Sequence, residues 1–147
     1  PDKRFALSSS RRGELEGVKK LPIREVTYMS GCCMMIKKEI FETVGLFDED
    51  YFLYYEDVDF CLRARAKGYK TVVLPSIIIS HELSKTIGKI SPLAIYHQTR
   101  SGLLFGKKHM GKKRIFNFLF LLAQSFLFLL KDRKNGMYAF KAMRDNV

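Results

Sequence analysis

The sequence predicts an α/β domain, or a part of one, followed by a helical extension. The chain has 147 residues, of which 47% are hydrophobic, so it can bury a core and wholesale disorder is excluded. Two β-branched runs, residues 71–74 and 77–80, are separated by Pro75 and are typical of strands. Segments with the apolar spacing of helices lie on both sides of these runs, which favours a mixed architecture.

The segments before the two strands alternate between strand and helix patterns. Residues 1–25 are polar and predict an irregular N-terminal segment. Residues 26–36 are apolar apart from Ser30-Gly31 and predict a buried strand that is interrupted at the glycine. Lys38–Val44 has helical spacing, and Gly45 predicts the end of that helix. The next predicted helix, 56–67, has acidic residues in its first turn and basic residues in its last, as the helix dipole favours.

Helices are also predicted throughout the C-terminal part of the chain. Pro92 suits the first turn of a helix that runs to about Met110. The strongest apolar run, residues 115–130, predicts a second helix, and a short third helix is expected over 136–144.

The apolar run 115–130 also predicts contact with a membrane. Its sixteen residues fall just short of the ~17–25 that span a bilayer, and basic clusters stand at 112–114 and 131–134. This pattern favours a helix lying in the headgroup region of an anionic membrane, so we expect a peripheral protein on the inner face of the cell membrane. A packed core helix and a true membrane span are the alternatives.

Charge is distributed unevenly along the chain. The net charge is +11, yet residues 39–59 hold eight of the fifteen acidic residues, and the chain from Lys107 onward carries +8. An acidic centre followed by a basic tail suggests two separate roles. The acidic cluster, and the lack of interleaved basic and aromatic residues in the predicted sheet, argue against nucleic acid as a partner.

The three cysteines predict neither a disulfide framework nor a metal site. Cys32 and Cys33 are adjacent, and with Cys61 they make an odd number without a C-x2-C spacing. We therefore expect reduced thiols of a cytoplasmic protein, buried as small hydrophobic side chains.

The acidic centre, residues 48–59, is the candidate functional segment. It has six carboxylates within twelve residues, next to several aromatic side chains. Crowded carboxylates repel one another, so such a cluster indicates either a bound cation or a role in catalysis. Two D-x-D patterns, Asp48/Asp50 and Asp57/Asp59, could each bind Mg²⁺ or Mn²⁺. Alternatively, Asp57 acts as a general base and His81 binds a metal, although a helix-capping aspartate and a structural histidine are common.

A longer series of motifs resembles the C-terminal half of a family 2 inverting glycosyltransferase. The closest subgroup is the rhamnosyltransferase-like or galactofuranosyltransferase-like enzymes of cell-surface polysaccharide assembly. The resemblance covers about residues 26–105 and is carried by Gly31-Cys-Cys-Met-Met-Ile36, Ile40-Phe-Glu-Thr-Val-Gly-Leu-Phe-Asp-Glu49, Tyr55-Glu-Asp-Val-Asp-Phe-Cys-Leu-Arg63, Gly68-Tyr69, Pro75 and His81.

The resemblance assigns roles to individual residues. It implies that Asp57 is the catalytic base and that His81 completes a site for a divalent metal, Mg²⁺ or Mn²⁺. Glu56 and Asp59 belong to the same motif and are assigned to substrate binding.

Two further residues are assigned to substrate binding by the resemblance. Gly31 falls where the backbone runs close to the bound sugar and acceptor. Arg100 falls where the family often has an Arg-Asn pair near the donor phosphates, but the next residue here is Ser101.

The resemblance also implies a fold, a reaction and partners. It implies a partial GT-A-like domain, the acceptor half, over residues 26–90, between the irregular segment 1–25 and a basic helical extension, 91–147. The expected reaction moves a sugar from a UDP- or dTDP-sugar to a glycan or lipid-linked acceptor.

Nothing before residue 26 resembles the family's nucleotide-binding half. The chain alone is therefore expected to be inactive and to need a separate donor-binding half. The alternative is a non-catalytic basic module that binds a membrane surface or a partner.

Overall fold

The computed structural model describes residues 21–77, 79 and 91–145. The chain divides into two compact units, and the boundary falls inside one helix. Of the described residues, the first unit contains 21–46 with 60–77 and 79, and the second contains 47–59 with 91–145.

The sheet of the first unit is a short antiparallel pair. Strand β1 (Arg24–Val26) pairs with β2 (Thr71–Val73), so that Arg24 lies opposite Val73 and Val26 opposite Thr71. An ion pair of 3.2 Å between Lys70 and Glu25 lies beside this register. The strand predicted over 71–74 is thus confirmed for three of its four residues.

The strand predicted over 26–36 is wrong beyond Val26. The chain leaves the sheet there and forms a 3₁₀ turn at Gly31–Cys33, because Ser30 and Gly31 interrupt the apolar run. The adjacent cysteines are consequently exposed, contrary to the expectation of burial, whereas Cys61 is buried as expected. Residues 77 and 79 are not in a strand, and the rest of the predicted strand 77–80 lies outside the described residues.

Two helices pack beside each other in the first unit. Helix α1 (Lys38–Val44) has the predicted bounds, and α2 (Glu56–Ala66) ends one residue before its predicted end. Gly45 ends α1 with φ of +87°, a left-handed conformation that favours glycine. The guanidinium of Arg63 donates to the carbonyls of Val44 and Leu46, each at 2.8 Å, and therefore fixes the end of α1 against α2.

The second unit contains three longer helices. These are α3 (Pro92–His109), α4 (Arg114–Lys131) and α5 (Arg133–Arg144), with a 3₁₀ turn at Gly111–Lys113. The Ser91 hydroxyl accepts from the Ala94 N–H at 3.1 Å, and the Asp132 carboxylate accepts from the Lys134 N–H at 2.9 Å. These side chains cap α3 and α5. The predicted helices are confirmed, although α5 begins three residues earlier than expected because Asp132 caps it.

Candidate active site

The part of the acidic centre that precedes α2, residues 48–55, is called here the acidic loop, and it ends in a left-handed turn. Tyr54 has φ of 66° and Tyr55 has φ of 71°, in a region that bulky residues seldom adopt. Each such residue costs roughly 1–3 kcal/mol and is held only where its surroundings enforce it. The turn ends the loop abruptly, so that Glu56 and Asp57 stand in the first turn of α2.

Residues in the middle of α3 contact this turn and stabilise it. The fully buried hydroxyl of Ser101 donates to the carbonyl of Leu53 at 2.7 Å. The rings of Tyr55 and Phe105 lie 5.3 Å apart. Gly102 lies close to the Tyr55 hydroxyl, since a Cβ built on this glycine would lie 3.5 Å from it, an ordinary contact distance. Ser101 stands where the family often has the asparagine of an Arg-Asn pair, and its hydrogen bond to Leu53 holds the loop in place.

The C-terminal turn of α3 supplies basic side chains that contact the crowded carboxylates. The ammonium of Lys108 contacts Asp48 and lies 2.8 Å from a carboxylate oxygen of Asp50. Burial by itself lowers the pKa of Lys108, but its hydrogen bonds to both aspartates and their negative charges outweigh burial and raise the pKa. His109 Nε2 lies 2.6 Å from Asp59 Oδ1. Sequence reasoning missed both side chains, and the only signal was the basic end of α3.

The predicted base, Asp57, lies half-buried at the start of α2. Its Oδ1 accepts from the Val58 N–H at 2.8 Å. The neighbouring Glu56 has a buried oxygen, Oε2, with no hydrogen-bond partner among the described residues. Burial raises the pKa of Glu56, a backbone hydrogen bond opposes this, and the charge of Asp57 raises it further. Two adjacent carboxyl groups thus differ in environment, as in sites that divide acid and base roles.

The other predicted site residues have different surroundings. The Asp59 side chain is 2% exposed and pairs with His109, while Arg100 donates to the backbone carbonyl of Asp50 at 2.8 Å. Gly31 lies in the 3₁₀ turn of the first unit. His81, the predicted metal ligand, lies outside the described residues. The substrate-binding and metal assignments stay predictions.

The described residues do not assemble the divalent-metal site. Within residues 21–77, 79 and 91–145, no three histidine, cysteine, aspartate or glutamate side chains are grouped so that they could hold a metal ion. Three of the four aspartates in the D-x-D patterns contact other side chains, because Asp48 and Asp50 contact Lys108 and Asp59 contacts His109. No step of the reaction is assigned to a metal on this geometry.

The raised pKa of Glu56 predicts a pH-dependent change in stability. The folded chain holds this proton more tightly than the unfolded chain, so stability falls as pH rises above the ordinary pKa of 4.5. Glu56→Gln removes the titrating group. We expect its melting temperature to exceed that of the unsubstituted chain at pH 7 and the difference to shrink at pH 4, as measured by circular dichroism. Glu49→Gln, at an exposed position, is the control; an unchanged difference at both pH values would contradict the assignment.

Comparisons with known proteins agree with the motifs. The sequence profile described as "Glycosyl transferase family group 2" matches residues 17–130, more than half of the chain. An N-acetylglucosaminyl-diphospho-decaprenol L-rhamnosyltransferase of Mycobacterium tuberculosis is 34% identical over 90 residues, which cover 60% of this chain and 29% of that protein. A dTDP-rhamnosyl transferase of Shigella flexneri is 34% identical over 92 residues, or 57% of this chain and 30% of that protein.

A third relative is similar over a shorter segment. A low-salt glycan biosynthesis hexosyltransferase of Haloferax volcanii is 43% identical over 46 residues, which cover 31% of this chain and 15% of that protein. The chain therefore spans about three tenths, or less, of the length of these curated relatives. No solved structure matches it significantly. The profile match, together with the motifs around Asp57, shows that this chain belongs to glycosyl transferase family group 2 and is similar to its rhamnosyltransferases.

Proposed function

We propose that this chain is the acceptor-side portion of an inverting nucleotide-sugar transferase with a GT-A fold, in which Asp57 is the general base. The observation that carries the proposal is the half-buried carboxylate of Asp57 at a helix start, after a strained turn and within the segment that the family profile matches. The complete transferase would combine this chain with a nucleotide-binding half, because the curated relatives are about three times as long as the matched segment.

The proposed reaction is a single displacement at the anomeric carbon. The acceptor hydroxyl oxygen attacks from the side opposite the nucleotide while Asp57 takes the hydroxyl proton. The bond between the anomeric carbon and the diphosphate oxygen breaks, and its electron pair leaves with the nucleoside diphosphate. A positioned base of this kind contributes typically ~10²–10⁴ in rate.

The relatives suggest the class of donor and acceptor. One is named for a dTDP-rhamnosyl transfer, and another for transfer to a diphospho-decaprenol carrier. We therefore propose a UDP- or dTDP-sugar donor and a glycan or lipid-linked acceptor for the complete transferase. A divalent metal stays an expectation that depends on His81.

The test is a comparison of the chain alone with the complete transferase. Direct displacement needs the donor held in line with the acceptor hydroxyl, and positioning supplies much of the barrier reduction. We expect no detectable transfer from UDP- or dTDP-sugars by the purified 147-residue chain. We expect product of inverted anomeric configuration when the donor half is present, with the configuration read by NMR. Transfer by the chain alone, or retention of configuration, would contradict the proposal.

A further inference from the structure

Helix α4 turns an apolar face to solvent. Six large apolar side chains with exposed surfaces lie on one side of this helix, since successive residues are separated by ~100°. Among them, Phe116, Phe120 and Leu130 are between 64% and 83% exposed. The six residues, called here the α4 face, are Phe116, Leu119, Phe120, Phe126, Leu127 and Leu130.

The polar residues of α4 lie on the opposite side, towards the neighbouring helices. Ser125 is buried and its hydroxyl donates to the Leu121 carbonyl at 2.7 Å. The Asn117 amide donates to the Gly102 carbonyl of α3 at 2.9 Å. This is the reverse of a helix at the surface of a soluble domain, whose apolar side faces the core. A contiguous exposed apolar surface of this kind marks an interaction site.

Basic residues flank the α4 face at both ends. Three exposed basic residues occupy 112–114, and three more lie within 131–134. The acid among them, Asp132, accepts a hydrogen bond from the Lys134 N–H and caps α5. A second copy of the chain is a poor occupant, because parallel or antiparallel pairing of two α4 helices would bring basic ends together. A uniformly anionic surface complements both ends at once.

The packing of α4 against its neighbouring helices also determines its orientation at a bilayer. By length and composition, Gly111–Lys131 could cross a membrane, and it is the one such segment within the described residues. However, α3 and α5 pack against it, and α5 carries the charged residues Arg133, Lys134, Lys141 and Arg144. Crossing would carry Lys141 and Arg144 into hydrocarbon, at up to roughly 2.5–3.5 kcal/mol each near the bilayer centre. A helix that lies in the membrane plane avoids that cost.

We propose that the α4 face docks on an anionic phospholipid bilayer, with α4 parallel to the surface. Its apolar side chains enter the boundary between headgroups and acyl chains. The basic clusters at 112–114 and 131–134 contact lipid phosphates. This surface is distinct from the residues proposed for sugar transfer, and its test does not depend on transferase activity.

The test is sedimentation of the purified chain with vesicles of phosphatidylcholine, with and without phosphatidylglycerol. We expect binding that requires phosphatidylglycerol and weakens in high salt, because screening acts over roughly 8–10 Å while apolar burial persists. Leu127→Gln with Leu130→Gln is expected to weaken binding by at least about tenfold. Lys112→Gln with Lys113→Gln is expected to weaken it by about tenfold to thirtyfold on anionic vesicles.

Matched control variants test whether vesicle binding depends on the α4 face itself and not on the overall charge or hydrophobicity of the chain. Lys37→Gln with Lys38→Gln removes the same charge from another exposed lysine pair, and Leu93→Gln with Met137→Gln changes exposed apolar residues of other helices. Both should bind vesicles like the unsubstituted chain, with circular dichroism confirming the fold of every variant.

Three results would overturn the proposal. The first is that a folded chain fails to bind anionic vesicles, and the second is that the α4 variants bind as well as their controls. The third is a concentration-dependent dimer in sedimentation equilibrium that Leu127→Gln with Leu130→Gln dissociates, because it would show that a second copy covers the α4 face.

Discussion

Replacing Asp57 by asparagine is expected to reduce turnover of the complete transferase by about 10²–10⁴, the typical contribution of a general base. The amide oxygen of asparagine can still accept from the Val58 N–H, which the aspartate accepts at 2.8 Å, so the start of α2 should keep its geometry. What is lost is the ability to take the acceptor proton. Donor affinity should therefore change little while kcat falls.

The measurement is steady-state kinetics together with donor binding by calorimetry. Glu49→Gln is the matched control, because Glu49 is an exposed acid of the same loop with no proposed role in transfer. It should keep both turnover and donor affinity. If Asp57→Asn keeps its turnover, the residue is not the base. If turnover and donor affinity fall together, Asp57 has a structural role instead.

The sequence predicted the helices because their ends are encoded locally. Ser91 and Pro92 determine where α3 begins, and Gly45 ends α1 through a conformation that other residues adopt at a cost. Residues 26–36 show the opposite case. Their apolar composition suits a strand, but a strand also needs a partner, and pairing extends only to Val26. Apolar content alone therefore overestimated the strand and wrongly buried Cys32 and Cys33.

The sequence predicted the proposed base of the candidate site, but not the contacts that hold the surrounding loop in place. Asp57 was found because its motif is contiguous in sequence. The basic side chains of Lys108 and His109 lie 50 to 60 residues along the sequence from the aspartates that they contact, and only tertiary packing brings them there. Likewise, no local propensity favours two left-handed tyrosines in succession at Tyr54 and Tyr55. The contacts from α3 hold that turn, so it could not be read from the loop itself.

Replacing Gly136 by alanine is expected to cost the most folding stability of the glycine substitutions in the helical unit. A Cβ there would lie 2.4 Å from the Leu129 Cα and 2.6 Å from the Leu129 backbone nitrogen. Because these are backbone atoms of α4, α5 must move away from it and lose packing at the buried Ala139 and Ala142. Alanine gains only about 1 kcal/mol in helix propensity over glycine. Overpacking typically costs ~1–3 kcal/mol and occasionally more, and a clash with backbone belongs at the upper end.

The expected net loss for Gly136→Ala, about 2 kcal/mol or more, is a large part of a typical stability of ~5–15 kcal/mol. It should appear as a fall in melting temperature of at least roughly 4–8 °C, measured by circular dichroism on the purified chain. Met137→Ala is the control in the same helix, since Met137 is 59% exposed, and it should stay within ~0.5 kcal/mol of the unsubstituted chain. A Gly136→Ala variant that melts with its control would show that α4 and α5 do not approach so closely, and the packing that turns the α4 face to solvent would fail with it.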